Sequence, residues 1–200
     1  MSSLDFDVGP QLPTLAAQRV RLRWLTAADV PALFAIFGDA EVTRYWSHAA
    51  FATLAAAEEL LRQIHDTFRV RTLFQWGLEL KATGAIIGTC TLGSLDATHR
   101  RAELGYALAR AYWGQGYIAE ALPVVLHFAF ERLGLHRLTA DVDPRNGPSL
   151  RALQRLGFQR EGYLRQHYHV NGEVCDGVLF GLLRSEVRWP DGFDTAGVQS

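Results

Sequence analysis

Cysteine is scarce in this 200-residue chain, which contains only Cys90 and Cys175. Two cysteines are too few for a disulfide framework, and their spacing does not match a zinc site. We therefore predict that both are reduced. His167 and His169 share one face of a predicted strand, but no third ligand follows at a matching spacing, so we predict that the protein binds no metal.

An excess of one charge sign is also absent, because 20 Lys and Arg stand against 21 Asp and Glu. Proteins that bind nucleic acid usually carry a basic surface, so neither DNA nor RNA is an expected partner. Arg19, Arg21 and Arg23 alternate with apolar residues in a predicted strand, and we interpret them as a solvated face rather than a binding site.

Long apolar runs are missing as well, and no segment reaches the roughly 18 apolar residues of a membrane span. The sequence therefore predicts a cytoplasmic protein that has no membrane partner, and it leaves monomer and homodimer open. A chain of this size and ordinary composition favours one domain with a substantial core. We place that domain at residues 16–187, between a flexible leader at residues 1–15 and a polar tail at residues 188–200.

The most informative stretch runs from Glu103 to Glu131 and changes its period once. Leu104, Tyr106 and Leu108 alternate as one face of a strand, and the apolar spacing becomes helical from Tyr117. The glycine-rich sequence Trp113-Gly-Gln-Gly116 lies between the two elements. The pattern predicts a strand, a glycine turn and a helix.

The start of such a helix attracts anions, because its first amides lack partners and the helix dipole adds partial positive charge to them. A phosphate or pyrophosphate could approach the amides of Gln115, Gly116, Tyr117 and Ile118. Glycines also serve simply to turn the chain, and this residue pattern leaves both interpretations open. Nucleotide-dependent phosphoryl transfer is disfavoured, since the sequence has no G-x-x-x-x-G-K-[ST] loop.

Three segments together carry a family resemblance: ELGYAL, YWGQGYIAEAL and LGLHRLTADVDPRNGPSLRALQRLGFQREGYLR. They resemble the GNAT N-acetyltransferase superfamily, in the RimJ/RimL-like branch of ribosomal-protein alanine acetyltransferases. The resemblance is most specific from Ala102 to Arg165. One position departs from the family pattern, since Ala111 stands where Gln or Arg usually precedes the two glycines.

The resemblance implies an α/β fold with a mixed, mostly antiparallel central sheet and helices on both faces. The first half of the motif strand is expected to splay from its neighbour and to free backbone groups for the pantetheine arm of acetyl-CoA, the expected cosubstrate. The glycine turn would hold the pyrophosphate. The predicted acetyl-CoA contacts are Tyr106, Leu108, Trp113, Gly114, Gln115, Gly116, Tyr117, Ile118 and Asn146.

The implied reaction is direct attack of an amine on the acetyl thioester in a ternary complex. At pH 7 an α-amine with a pKa near 7.8 is deprotonated for about 1.1 kcal/mol, whereas a lysine amine needs about 4.6 kcal/mol. Glu103 is the candidate base, acting through a water, or else a structural carboxylate. Ser149 is the candidate proton donor to the leaving thiolate, and its alternative role is to complete a helix end.

The resemblance also assigns four residues to the acceptor side of the site: Arg44, Tyr45, Trp46 and Trp76. For the two tryptophans, packing in the core is the alternative role. The acceptor is expected to be a protein N-terminal amine, or alternatively a small amine or antibiotic. Two other classes of function stay open, a non-catalytic acyl-CoA-binding module and a phosphate-binding protein unrelated to CoA.

Overall fold

A computed structural model describes residues 6–170 and 172–193 and contains one sheet of eight strands. Residues 1–5, residues 194–200 and Asn171 lie outside the described residues, and these include parts of the predicted leader and tail. The strands are β1 (Leu15–Ala16), β2 (Val20–Arg23), β3 (Phe74–Leu80), β4 (Ile86–Asp96), β5 (Arg101–Leu108), β6 (Arg137–Val142), β7 (Gln159–Val170) and β8 (Glu173–Leu183). Their order across the sheet is β1-β2-β3-β4-β5-β6-β8-β7.

The predicted sheet type is confirmed, since β5 and β6 form the parallel pair and their neighbours pair antiparallel. Four α-helices cover the sheet: α1 (Val30–Phe37), α2 (Leu54–Arg69), α3 (Tyr117–His127) and α4 (Gly147–Arg155). The helices α1 and α2 pack on one apolar cluster that includes Leu25 and Ile86. The helices α3 and α4 contribute to a second cluster around Trp76. Helices therefore lie on both faces of the sheet, as expected.

The described ends of the chain pack more closely than a flexible leader and a polar tail would. Phe6 and Leu12 are buried in the main core, and the indole nitrogen of Trp76 donates to the carbonyl of Pro13 at 2.9 Å. Trp189 stacks on Phe193 with 5.0 Å between ring centroids. Prolines disfavour helices and strands but allow an extended segment to pack.

The parallel pair is short, and its position corrects one expectation. The strands β5 and β6 pair only from Arg101 to Glu103, opposite residues 137–139, although β5 continues to Leu108. The first residues of the motif strand are thus paired, and its second half is the part that leaves its neighbour. Because carboxyl ends of parallel strands meet at one edge, the gap opens where α3 and α4 begin.

The backbone of β5 faces this gap at alternate residues. The amide of Ala109 donates to the carbonyl of Ile87 at 2.8 Å, so the odd-numbered residues of β5 bond towards β4. The backbone groups of Leu104, Tyr106 and Leu108 consequently point towards the space that β6 has left.

Candidate active site

A cleft of about 330 Å³ lies where β5 and β6 part. It brings together seven of the residues that the sequence analysis assigned to the site. They are Arg44, Tyr45, Trp46, Glu103, Tyr106, Asn146 and Ser149. Asp141 and Tyr168 are among the further lining residues, and the sequence analysis missed both of them.

Glu103 lies on the wall of the cleft, at the last position where β5 pairs with β6. Its carboxylate has no hydrogen bond or ion pair with the residues that the structure describes. Its pKa is raised, first because the cleft removes part of its hydration and second because Asp141 places a negative charge nearby. The charge of His167 acts in the opposite direction. Glu103 remains accessible from the solvent, so a water or a substrate amine can reach it.

Asp141 forms the second acidic group of the cleft. One oxygen, Oδ2, lies 3.0 Å from Nε2 of His167 and accepts a hydrogen bond from the Tyr168 hydroxyl at 3.0 Å. The other oxygen, Oδ1, is buried without a hydrogen-bond partner among the described residues. Arg137, Thr139 and Asp141 form the polar face of β6, and this alternation was the sequence signal that could have identified Asp141.

Tyr106 and Ser149 form a hydroxyl pair on another wall of the cleft, with 2.8 Å between their oxygens. Burial raises the pKa of Tyr106 to about 12, so its hydroxyl keeps its proton at neutral pH. Glu103 and Tyr106 project from opposite faces of β5. The gap between β5 and β6 makes both side chains accessible from the same cleft.

Asn146 is the N-cap of α4, because its side-chain oxygen accepts a hydrogen bond from the backbone amide of Ser149 at 3.2 Å. Asn146 therefore has a structural role at the start of this helix. The cap uses the backbone of Ser149 and leaves its hydroxyl for Tyr106.

The segment before α2 forms the roof of the cleft. Two guanidinium groups lie near the Tyr45 ring, with Arg44 at 5.4 Å and Arg145 at 5.7 Å from its centroid. Trp46 packs edge-on against Phe37 at 5.3 Å, so it covers the core and lines the cleft at the same time. Both roles that the sequence analysis weighed for Trp46 are compatible with this position.

Trp76 lies elsewhere, and its predicted contact with the acceptor is wrong. Its side chain is fully buried and packs edge-on against Phe128 at 5.3 Å. On β3 both faces are covered, so an aromatic residue there belongs to the core.

The glycine turn has the conformation that close approach to the backbone requires. Gly114 and Gly116 have φ angles of +73° and +83°, which other residues rarely adopt. A side chain at Gly114 would meet no atom within 4 Å. Gly116 is the N-cap of α3, so the amides that follow it have no earlier carbonyl partner within the helix.

Trp113 closes one end of the gap. Its indole nitrogen donates to the carbonyl of Leu108 at 2.7 Å, so this carbonyl is not free as the sequence analysis expected. The backbone of Tyr106 still faces the gap. The residues from Trp113 to Ile118 do not line the 330 Å³ cleft, and they form a separate part of the candidate site.

Arg19 lies beside this turn, where the sequence analysis predicted a solvated residue. Its guanidinium Nη2 donates to the carbonyl of Gln115 at 2.9 Å and also pairs with Glu120 in the first turn of α3. The guanidinium lies 4.6 Å from the centroid of the Tyr117 ring. Arg19 precedes β2 and lies 96 positions from Gln115 in sequence, so no local pattern indicated this contact.

No group of three or more His, Cys, Asp and Glu that could hold a metal ion occurs in residues 6–170 and 172–193. Within the same ranges, every helix is too short or too polar to cross a membrane.

A family model described as an acetyltransferase (GNAT) domain matches residues 19–159. Three curated relatives differ in what their names say. The uncharacterised N-acetyltransferase p20 of Bacillus licheniformis is 34% identical over 88% of this chain and 98% of its own length. A candidate ribosomal N-acetyltransferase of Bacillus subtilis, YdaF, is 34% identical over 60% of this chain and 72% of its own length. The spermidine N(1)-acetyltransferase of Escherichia coli K12 is 27% identical over 86% of this chain and 89% of its own length.

Among solved structures, RimJ of Mycobacterium smegmatis in complex with CoA-disulfide superposes with a TM-score of 0.79. It is 24% identical and covers 87% of this chain and 88% of its own. At this identity the likeness shows the fold.

Proposed function

Because the chain belongs to the acetyltransferase (GNAT) family and is an acetyl-CoA-dependent N-acetyltransferase, we propose that it acetylates a protein N-terminal α-amine. The observation that carries the proposal is the parting of β5 from β6, which opens between Glu103 and the Tyr106–Ser149 pair. A thioester lying in this gap would have a carboxylate on one side and a hydroxyl donor on the other.

The glycine turn is proposed to hold the diphosphate of acetyl-CoA. The free amides at the start of α3 and the helix dipole favour an anion there. From this point the pantetheine arm would follow the unpaired backbone near Tyr106 and deliver the acetyl group to the cleft. Donors on that backbone would stabilise the oxygen of the tetrahedral intermediate.

The chemistry then requires two proton movements. The amine nitrogen attacks the carbonyl carbon, and its proton passes through a water to Glu103, whose raised pKa suits this acceptance. The carbon–sulfur bond breaks, and the departing sulfur accepts the second proton from a hydroxyl group, which regains a proton from the solvent. Ser149 can serve when the Tyr106 hydroxyl, 2.8 Å from Ser149 Oγ, is the donor of the hydrogen bond between the two oxygens. The hydroxyl hydrogen of Ser149 is then free for the sulfur.

An α-amine acceptor is supported by its low cost of deprotonation and by the ribosomal assignment of one relative. A small polyamine is the second candidate. Two carboxylates, Glu103 and Asp141, face the cleft without a Lys or Arg partner among the described residues, which favours a cationic acceptor. The relationship to a spermidine acetyltransferase supports the same candidate.

Release of CoA thiol from acetyl-CoA tests the proposal when N-terminal peptides, spermidine and aminoglycosides are compared as acceptors. The proposal expects the highest kcat/KM with a peptide α-amine and loss of turnover when that amine is already acetylated. Faster turnover of spermidine would replace the first acceptor with the second. Stabilisation by ADP equal to that by acetyl-CoA, without turnover of any amine, would point to a phosphate-binding protein instead.

A further inference from the structure

We propose that Arg19 is the positioning residue of the diphosphate site, an inference that rests on the function proposed above. The glycine turn is intrinsically adjustable, since Gly114 and Gly116 have no side chains to fix their φ angles. The usual polar residue of the family pattern is missing, because Ala111 occupies that position. Arg19, immediately before β2, supplies a cation that Trp113-Gly-Gln-Gly116 itself lacks.

Arg19 fixes the orientation of one peptide in the glycine turn. The carbonyl of Gln115 and the amide of Gly116 belong to the same planar trans unit and point in opposite directions. Arg19 Nη2 holds the carbonyl at 2.9 Å, so the Gly116 N–H is directed away from the guanidinium. Without this bond the Gln115–Gly116 peptide could rotate next to the flexible Gly116 and turn its oxygen towards the bound phosphates, where it would repel them.

Arg19 also neutralises an acidic group close to the same place. Glu120 lies in the first turn of α3, and a free carboxylate there would repel a diphosphate at the helix start. Its oxygens accept hydrogen bonds from the Arg19 side chain and, at 2.9 Å, from the Arg19 backbone amide. Stacking over the Tyr117 ring fixes the guanidinium plane further.

Arg21, two residues further along and inside β2, provides the matched control. Arg19 and Arg21 are 46% and 48% exposed, and each pairs with a largely buried carboxylate, Glu120 or Glu79. Only Arg19 contacts the glycine turn. A general loss of strand stability should therefore affect Arg21→Met at least as much as Arg19→Met.

The experiment compares acetyl-CoA with S-acetylpantetheine, which carries the thioester but no diphosphate. Arg19→Met is expected to raise the KM for acetyl-CoA about tenfold, because a charge-assisted contact is lost, and to leave kcat unchanged. Its kcat/KM for S-acetylpantetheine should equal that of the wild type. Arg21→Met should change neither value. Adding Glu120→Gln to Arg19→Met should recover part of the loss, since it removes the exposed negative charge.

An unchanged KM for acetyl-CoA in Arg19→Met would overturn the inference, and so would an equal loss with both donors. Dissociation constants of CoA and pantetheine, measured by calorimetry, give the same contrast without turnover. If the wild type neither binds nor uses acetyl-CoA, the proposed function itself fails. The two failures are therefore distinguishable.

Discussion

Two groups of carboxylates in this molecule have opposite surroundings. Between β2 and β3, Arg23 Nη2 lies 2.7 Å from Asp29 Oδ1, and Arg21 Nε donates to Glu79 at 2.8 Å. In the cleft, neither Glu103 nor Asp141 contacts a Lys or Arg of the described chain. Asp29 and Glu79 are thus paired with arginine, whereas Glu103 and Asp141 are not.

The pKa values differ in the same sense. Burial alone would raise the pKa of Asp29 and of Glu79, but the hydrogen bonds and charges of the arginines, joined at Asp29 by hydrogen bonds from Thr26, together lower both. The pKa of Glu103 is raised. A carboxylate held by arginine is a poor proton acceptor and stabilises the fold, whereas Glu103 is suited to take a proton. The comparison separates charges that maintain the structure from charges available for chemistry.

Removal of Arg23 should have the largest effect. Arg23→Met leaves Asp29, a largely buried carboxylate, without its cation, and we expect the free energy of unfolding at pH 7 to fall by about 3 kcal/mol. The native pKa of Asp29 is lowered, so the pair stabilises above the ordinary aspartate pKa and loses this effect as pH falls through the lowered value. Denaturant unfolding at several pH values measures both. Arg62→Met, which removes the exposed Arg62–Glu59 pair on α2, is the control and should change the free energy of unfolding by less than about 1 kcal/mol.

Glu103→Gln should lower kcat about 100-fold at pH 7, because the amide cannot accept the proton of the amine. Stability should not decrease, since a raised native pKa means that the ionised carboxylate is unfavourable in the folded state. Steady-state kinetics and thermal unfolding test the two parts. Glu161→Gln, in the surface pair with Arg137, should retain wild-type kcat. If Glu103→Gln keeps the wild-type kcat, Glu103 is a structural carboxylate and not the base.

Ser149→Ala should lower kcat about tenfold, because the leaving sulfur loses a hydrogen-bond donor. The N-cap of α4 uses the Ser149 backbone and survives the change. Tyr106→Phe should reduce kcat in the same direction, and the double variant should lose no more than Ser149→Ala alone if the hydroxyls act as a unit. Fully additive losses would show that they act independently.

The smallest expected effects are shifts in the pKa of Glu103. Asp141→Asn removes a negative charge and should lower this pKa, whereas His167→Gln removes an opposing charge and should raise it. Carbon-13 NMR of the Glu103 carboxyl measures the two shifts directly. Shifts of the same sign would contradict the electrostatic description of the cleft.

Much of the fold could be predicted because its signals are local. The glycine turn, the helix that follows it and the capping Asn146 are each encoded within a few neighbouring residues. The family resemblance supplied the sheet type and the parting of the motif strands. It misplaced the parting within β5, since pairing with β6 depends on residues more than 30 positions away.

The missed parts of the site are contacts between distant elements. Asp141 becomes a cleft residue only when β6 lies beside β5 and β7 supplies His167 and Tyr168. Arg19 reads as a solvated strand residue until the start of α3 is placed against it. The prediction for Trp76 has the opposite error, since it assigned a core residue to the site. Burial of β3 on both faces is a property of the assembled sheet.

The most direct test of the account is the dependence of log kcat/KM on pH with a peptide acceptor, in the wild type and in Glu103→Gln. Below the α-amine pKa, near 7.8, log kcat/KM of both enzymes should fall with decreasing pH at a slope of one. The wild type should then steepen to a slope of two below the pKa of Glu103, while the variant keeps a slope of one throughout. Identical profiles in the two enzymes would contradict the assignment of Glu103 as the base.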